Sequence, residues 1–163
     1  MNTLTHALLP AIVAGLCNKS YAAPVKRKKL FTGREILLIA LLGAAPDILN
    51  PHITLAARYT SWSHSIAVLL PLSMLLVLCS GLFRKLRPRL IPWLLGAYAL
   101  HLACDAITGG IAWAYPFSSH IIGKTYINFI YWIPIDLTFS IVAYFLFRAF
   151  PNYMDSRERH AKH

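Results

Sequence analysis

The chain has 163 residues, 57% of them hydrophobic and only 13% charged, with a mean hydropathy of +0.54. A soluble globular domain carries roughly twice that charged fraction, so the composition is that of a membrane protein. The formal charge of +10 does not point to nucleic acid, because the basic residues sit between apolar runs with no nucleic-acid-binding motif among them.

A spanning helix needs about 20 mostly apolar residues, and five segments approach this. Residues 3–18 (TLTHALLPAIVAGLCN) are short and contain a histidine, and residues 36–50 (ILLIALLGAAPDILN) end in Pro-Asp. Residues 65–83 are the clearest span, 90–108 enclose the motif HLACD, and 127–150 form the last. The expected fold is therefore all-α, an integral membrane bundle of about five hydrophobic helices, the first two short. Residues 1–150 make one helical transmembrane domain and 151–163 a polar tail. No cleavable signal peptide is expected, because the Lys/Arg cluster follows the first apolar run instead of preceding it. Cys17, Cys79 and Cys104 lie in or beside apolar runs without a CxxC pattern and read as small core residues.

Lys and Arg stay on the cytoplasmic side of a membrane. With five spans, the loops 19–35 and 84–89 and the tail share one side and hold fourteen of the sixteen basic residues. The other side has only Arg58 and Lys124. This partition predicts a multi-pass protein with the N-terminus outside and the C-terminus in the cytoplasm.

On that topology His6, Asp47, His64, His101 and Asp105 all fall toward the outer face. Singly, each has a plain alternative: His6 as an interfacial histidine, Asp47 after Pro46 as a helix terminator, His64 in WSHS as a surface residue. His101 and Asp105 resist one. Their spacing of four puts both on one helix face, and ionisable groups in a membrane are costly enough to mark a site. Three histidines and two aspartates at one level form a ligand set for Zn²⁺, or for Mn²⁺ or Fe²⁺. A divalent ion there activates water for hydrolysis, and an aspartate that is not a ligand can take the water's proton. Asp47, Asp105 and His64 are thus the candidate catalytic residues.

The motifs Thr5-His6, Pro46-Asp47, Ser63-His64-Ser65 and His101…Asp105, followed by Thr108, Gly109 and Pro116, resemble the YdjM-type membrane-bound metal-dependent hydrolases. The resemblance runs from residue 5 to about residue 120. It implies metal-dependent hydrolysis at the bacterial inner membrane, and a ligand arrangement similar to that of zinc-dependent phospholipases C, hence phosphoesters of lipid or lipid-linked substrates. The chain departs from the family pattern at Leu49, where relatives often carry a second aspartate, and at Tyr59-Thr60, where they carry His-Arg. Both differences remove possible ligands or phosphate contacts and leave open whether one ion or two is held, or whether the site is degenerate.

Other residues have two readings each. His52 and His120 lie in loops on the outer side, as weaker ligand candidates. Asp136 is either a partner to a ligand histidine or a structural hydrogen-bonding group. Arg58 and Lys124 either pair with a lipid phosphate or are ordinary interfacial charges. Trp62, Trp93, Trp113 and Trp132 read mainly as interfacial belt residues and secondarily as walls of a substrate cleft. The rival to an enzyme is a membrane protein that binds or passes a metal ion, for which polar positions on both halves of the bilayer are expected.

Overall fold

The computed structural model describes residues 3–22, 29–51, 54–83 and 86–149. His52, the basic residues 26–28 and 84–85, and the tail 151–163 with its two histidines lie outside the described residues. Within them the chain is all-helical, with five α-helices and no strand: α1 (Thr3–Ala22), α2 (Gly33–Leu49), α3 (Leu69–Phe83), α4 (Ile91–Ile107) and α5 (Trp132–Tyr144). Two helical stretches, Pro88–Ile107 and Phe129–Ala149, are long and apolar enough to cross a membrane, and Ile66–Leu82 is apolar but shorter.

The first helix is longer than its apolar run. It continues through Asn18, Lys19 and Ser20, and the Asn18 amide explains where the chain turns back. Its Nδ2 donates to the Phe31 carbonyl at 2.8 Å while its Oδ1 accepts from the Phe31 N–H at 2.7 Å. One polar side chain so holds the base of α1 to the start of α2. That start is a capping box: Thr32 Oγ1 accepts from the Glu35 N–H, and Glu35 Oε2 accepts from the Thr32 N–H, satisfying two of the N–H groups a helix leaves over.

Helix α2 lies between α1 and α4, and α5 packs on α1. Ala14, Phe31, Ile39, Leu90, Leu94 and Ala97 form one buried cluster, and Tyr98, Leu102, Ala106 and Ile111 a second along α4. By contrast α3 and α5 leave large apolar side chains bare, among them Leu70, Met74, Leu78, Leu82, Ile133 and Leu137. Water would penalise such faces heavily; hydrocarbon would not.

Two connections are more structured than the apolar pattern implied. Residues 55–68 run as three successive 3₁₀ turns (Leu55–Thr60, Trp62–His64, Ile66–Val68) before α3 begins. They are pinned from outside: the Trp113 carbonyl accepts from Ile66 N–H and Ser65 Oγ, and Tyr98 OH donates to the Ser63 carbonyl. Residues 108–126 fold back antiparallel, with Ile111 and Ile122 exchanging both backbone bonds. The N–H groups of Lys124 and Tyr126 then reach the Ala106 and Ile107 carbonyls, so the end of α4 keeps its hydrogen bonds without water.

Candidate metal centre

Four elements bring the candidate ligands together. His6 comes from the first turns of α1, Asp47 from the last turn of α2, His64 from the 3₁₀ turn 62–64, and His101 and Asp105 from successive turns of α4. All but Asp47 are essentially buried, and the Asp47 side chain is 13% exposed.

The separations are regular. His64 Nε2 lies 3.3 Å from Asp47 Oδ1 and 3.4 Å from Asp105 Oδ2. His101 Nε2 lies 3.6 Å from Asp47 Oδ1 and 3.3 Å from Asp105 Oδ2, and the two Nε2 atoms are 3.4 Å apart. Four ligands at ordinary Zn–N and Zn–O distances in a tetrahedron stand about 3.3 Å from one another. Five of the six edges of such a figure are therefore in place, and one donor atom from each of Asp47, His64, His101 and Asp105 lies within 4.8 Å of the others. Two imidazole nitrogens aimed at one point between two carboxylates suit a shared cation, and the group could hold a metal ion.

The surroundings orient these donors. His101 Nδ1 is 2.7 Å from the Gly43 carbonyl, which accepts only if Nδ1 carries the proton, so Nε2 turns a lone pair inward. His64 Nδ1 lies 2.9 Å from Ser61 Oγ and 3.2 Å from Ser63 Oγ, either able to do the same. Ser63 Oγ in turn donates to the Pro46 carbonyl at 2.8 Å and Asn50 Nδ2 donates to Ser61 Oγ at 2.8 Å. The end of α2 is thereby tied to the turn that bears His64. Asp47 Oδ2 accepts from Thr3 Oγ1 at 2.8 Å.

A family model described as YdjM inner membrane protein matches residues 1–160. The chain belongs to the YdjM family. No curated protein and no solved structure matches it. The family places the chain among inner membrane proteins, in keeping with the bare apolar faces of α3 and α5.

The remaining candidates in this YdjM chain divide clearly. His6 stands beside the four-atom group: its Nε2 is 3.1 Å from Asp105 Oδ1, the oxygen turned away from the tetrahedral figure, and its ring stacks on His101 with centroids 3.8 Å apart. His120 and Lys124 are exposed in the segment after α4. Asp136 accepts a hydrogen bond from Thr5, the neighbour of His6, and so ties α5 to α1 beside the centre.

Arg58 differs most from an interfacial charge. It is 3% exposed, and its Nη1 lies 3.0 Å from Asp105 Oδ1. The sequence offered it as a partner for a lipid phosphate or as an ordinary interfacial charge, and not as a neighbour of Asp105. The available signal was its position, since it is an arginine on the side that holds only two basic residues, six residues before His64 in a stretch rich in Ser and Thr.

Proposed function

We propose that the protein is a membrane-bound metal-dependent hydrolase acting on a phosphoester or other ester of a lipid or lipid-linked substrate. The observation that carries this reading is the near-tetrahedral set of separations among Asp47, His64, His101 and Asp105. Zn²⁺ matches that geometry best, and the mixed nitrogen and oxygen donors also suit Mn²⁺ or Fe²⁺. When bound, such an ion supplies Lewis acidity, acidifying water and polarising an ester or phosphoryl oxygen.

The chain's own residues divide the work. His64, His101 and Asp105, all buried, would hold the ion, in the three-ligand pattern of catalytic zinc sites. Asp47 stands at the fourth corner on the open side. Its Oδ1 would be placed to take a proton from a water at that corner, while Thr3 Oγ1 donates to Oδ2. An apolar groove of about 310 Å³, lined by Pro10, Val13, Ile39, Trp93 and Ala97 among others, supports an amphiphilic substrate. Pro10 and Ala97 are one helical turn from His6 and His101, so the groove leads away from the centre along α1 and α4, as a tail would.

Metal analysis of purified protein, with turnover of a panel of phospholipids and lipid-linked phosphates, tests the reading. The wild type is expected to carry a divalent ion and to cleave at least one member. Asp47→Asn should keep most of the metal and lose turnover by a factor on the order of 10²–10⁴, the usual worth of a positioned base. Protein that takes up no divalent ion overturns the reading; metal without turnover leaves an ion-binding protein.

The fourteen-to-two partition of basic residues supports five passes with the N-terminus outside. Reporters fused after Lys28, Arg87 and His160 should read as cytoplasmic, and those after Ala56 and His120 as external. A cytoplasmic signal at Ala56 would move the centre to the other face.

A further inference from the structure

Residues 106–123 carry no Asp, Glu, Lys or Arg, although they form most of the connection between α4 and α5. Phe117 is 86% and Tyr126 73% exposed there, and Ile121 and Ile122 are bare as well. Water penalises so much apolar surface in one short segment. Polar groups are interleaved with it, since Ser119, His120 and Lys124 are exposed in the same stretch.

From this mixture we infer that the fold-back 108–126 is a membrane anchor, seated in the headgroup region of the leaflet on the side of the four-donor group. The partner it fits is a lipid surface. Aromatic rings beside hydroxyls and a cation suit the boundary where acyl chains meet headgroups, and the backbone sets the depth. The segment is neither helix nor closed sheet, and lipid-exposed backbone of that kind does not occur in hydrocarbon. Two observations favour lipid over a second copy of the chain as the cover. The bare apolar side chains run on into Phe129 and Ile130, which open a stretch long and apolar enough to cross a membrane. The core of a protein interface is depleted of lysine, whereas Lys124 can lay its stem along the bilayer and leave its ammonium among headgroups.

The anchor is fastened to the end of α4 that bears the ligands. The N–H groups of Lys124 and Tyr126 donate to the Ala106 and Ile107 carbonyls at 3.1 and 2.9 Å, and Gly110 N–H donates to the Asp105 carbonyl at 3.2 Å. Gly123 permits that approach, because its φ is +109° and a Cβ there would fall 2.0 Å from the Ala106 carbonyl oxygen. Seating the fold-back therefore sets the level of Asp105 and His101 against the headgroups. The anchor stands whether or not the group holds a metal.

The experiment is photolabelling of the full wild-type chain in vesicles of phosphatidylethanolamine and phosphatidylglycerol, with the labelled peptides mapped by mass spectrometry. Three diazirine probes are used: a phosphatidylcholine labelled next to the glycerol, one labelled at the end of its acyl chain, and a water-soluble reagent present on both faces. Residues 117–126 should take the first probe, and the bare middle of α3, Met74 to Leu78, the second. Phe117→Asp with Tyr126→Asp should shift the label on Ile121 and Ile122 from the first probe to the water-soluble one, on the order of 10-fold, as withdrawal of two rings from apolar surroundings requires. If that variant fails to insert, the wild-type pattern decides the case. Labelling of 117–126 by the water-soluble reagent alone overturns the anchor, since the segment would then lie in water. Labelling by the chain-end probe as strong as that of α3 also overturns it, because the fold-back would then sit in hydrocarbon. Protection from all three probes, with crosslinks between copies at 117–126, assigns the face to a second copy and overturns it as well. So does an unchanged pattern in the double variant, which would show that the rings do not hold the segment.

Discussion

Moving the Asp105 carboxylate by one residue, as Asp105→Ala with Ala106→Asp, is expected to abolish metal retention and hydrolysis together. Composition and hydropathy barely change, but one position rotates the side chain about 100° around α4. The carboxylate leaves His64, His101, His6 and Arg58 and enters the apolar cluster of Tyr98, Leu102 and Ile111. Two costs add: Arg58 loses the carboxylate at 3.0 Å, and a charge is buried where nothing pairs with it. Asp105→Asn separates them, because it keeps the shape and removes the charge; it should fold with lowered stability and retain little metal. Asp105→Glu should keep part of the metal and lose turnover on the order of 100-fold, as a misplacement of about 1 Å does. These outcomes are read by metal stoichiometry and by turnover of whichever panel substrate the wild type cleaves. Full activity in the moved variant would show that the spacing of four in HLACD serves folding alone.

Gly43→Val is expected to be nearly as damaging, although Gly43 has no side chain to contribute. A Cβ on Gly43 would land on the carbonyl oxygen of His6 and within 2.7 Å of Pro10 Cγ. Backbone cannot give way as a flexible side chain can, so α1 must move off α2. Helix α1 carries both His6 and Thr3, and the Gly43 carbonyl orients His101. Gly43→Ala should cost about 1–3 kcal/mol, the usual range for overpacking, and weaken metal binding on the order of 10- to 100-fold, as loss of a ligand's orienting partner does. Gly43→Val should exceed both. Gly81 is the control: nothing lies within 4 Å of a Cβ there. In the last turn of α3, Gly81→Ala should gain at most about 1 kcal/mol from helix propensity and leave metal content unchanged. Thermal unfolding and metal analysis of the three proteins distinguish a tight helix crossing from general sensitivity to glycine replacement.

The five helices were legible because apolar runs bounded by charge or by Pro-Asp leave little else for the chain to form. The juxtaposition of Asp47, His64, His101 and Asp105 was legible in outline, since the topology expected from Lys and Arg alone put them toward one face. What pattern could not reach depends on contacts distant in sequence. The extension of α1 rests on Asn18 meeting Phe31, and the 3₁₀ turns of 55–68 are held by Trp113 and Tyr98. The reading of Arg58 as an ordinary interfacial charge failed for the same reason. A lone arginine near an apolar segment is usually at the water interface, and only the turns around it carry it inward to Asp105.

The capping box at the base of α2 also sets a depth. Glu35 pairs with the exposed Arg87 at 3.6 Å, and the two mark one polar boundary of the helix. Asp47 follows twelve residues later, a rise of about 18 Å along the axis, whereas the hydrocarbon layer of a bilayer is about 30 Å thick. Set across such a layer from that boundary, α2 would leave Asp47 about 12 Å short of the opposite headgroup plane. Between Glu35 and Asp47 the helix is apolar from Ile36 to Pro46, too short to bridge an undistorted bilayer. A bilayer crossed by α2 would have to thin around it, which would lower headgroups toward Asp47 before any of them is bound.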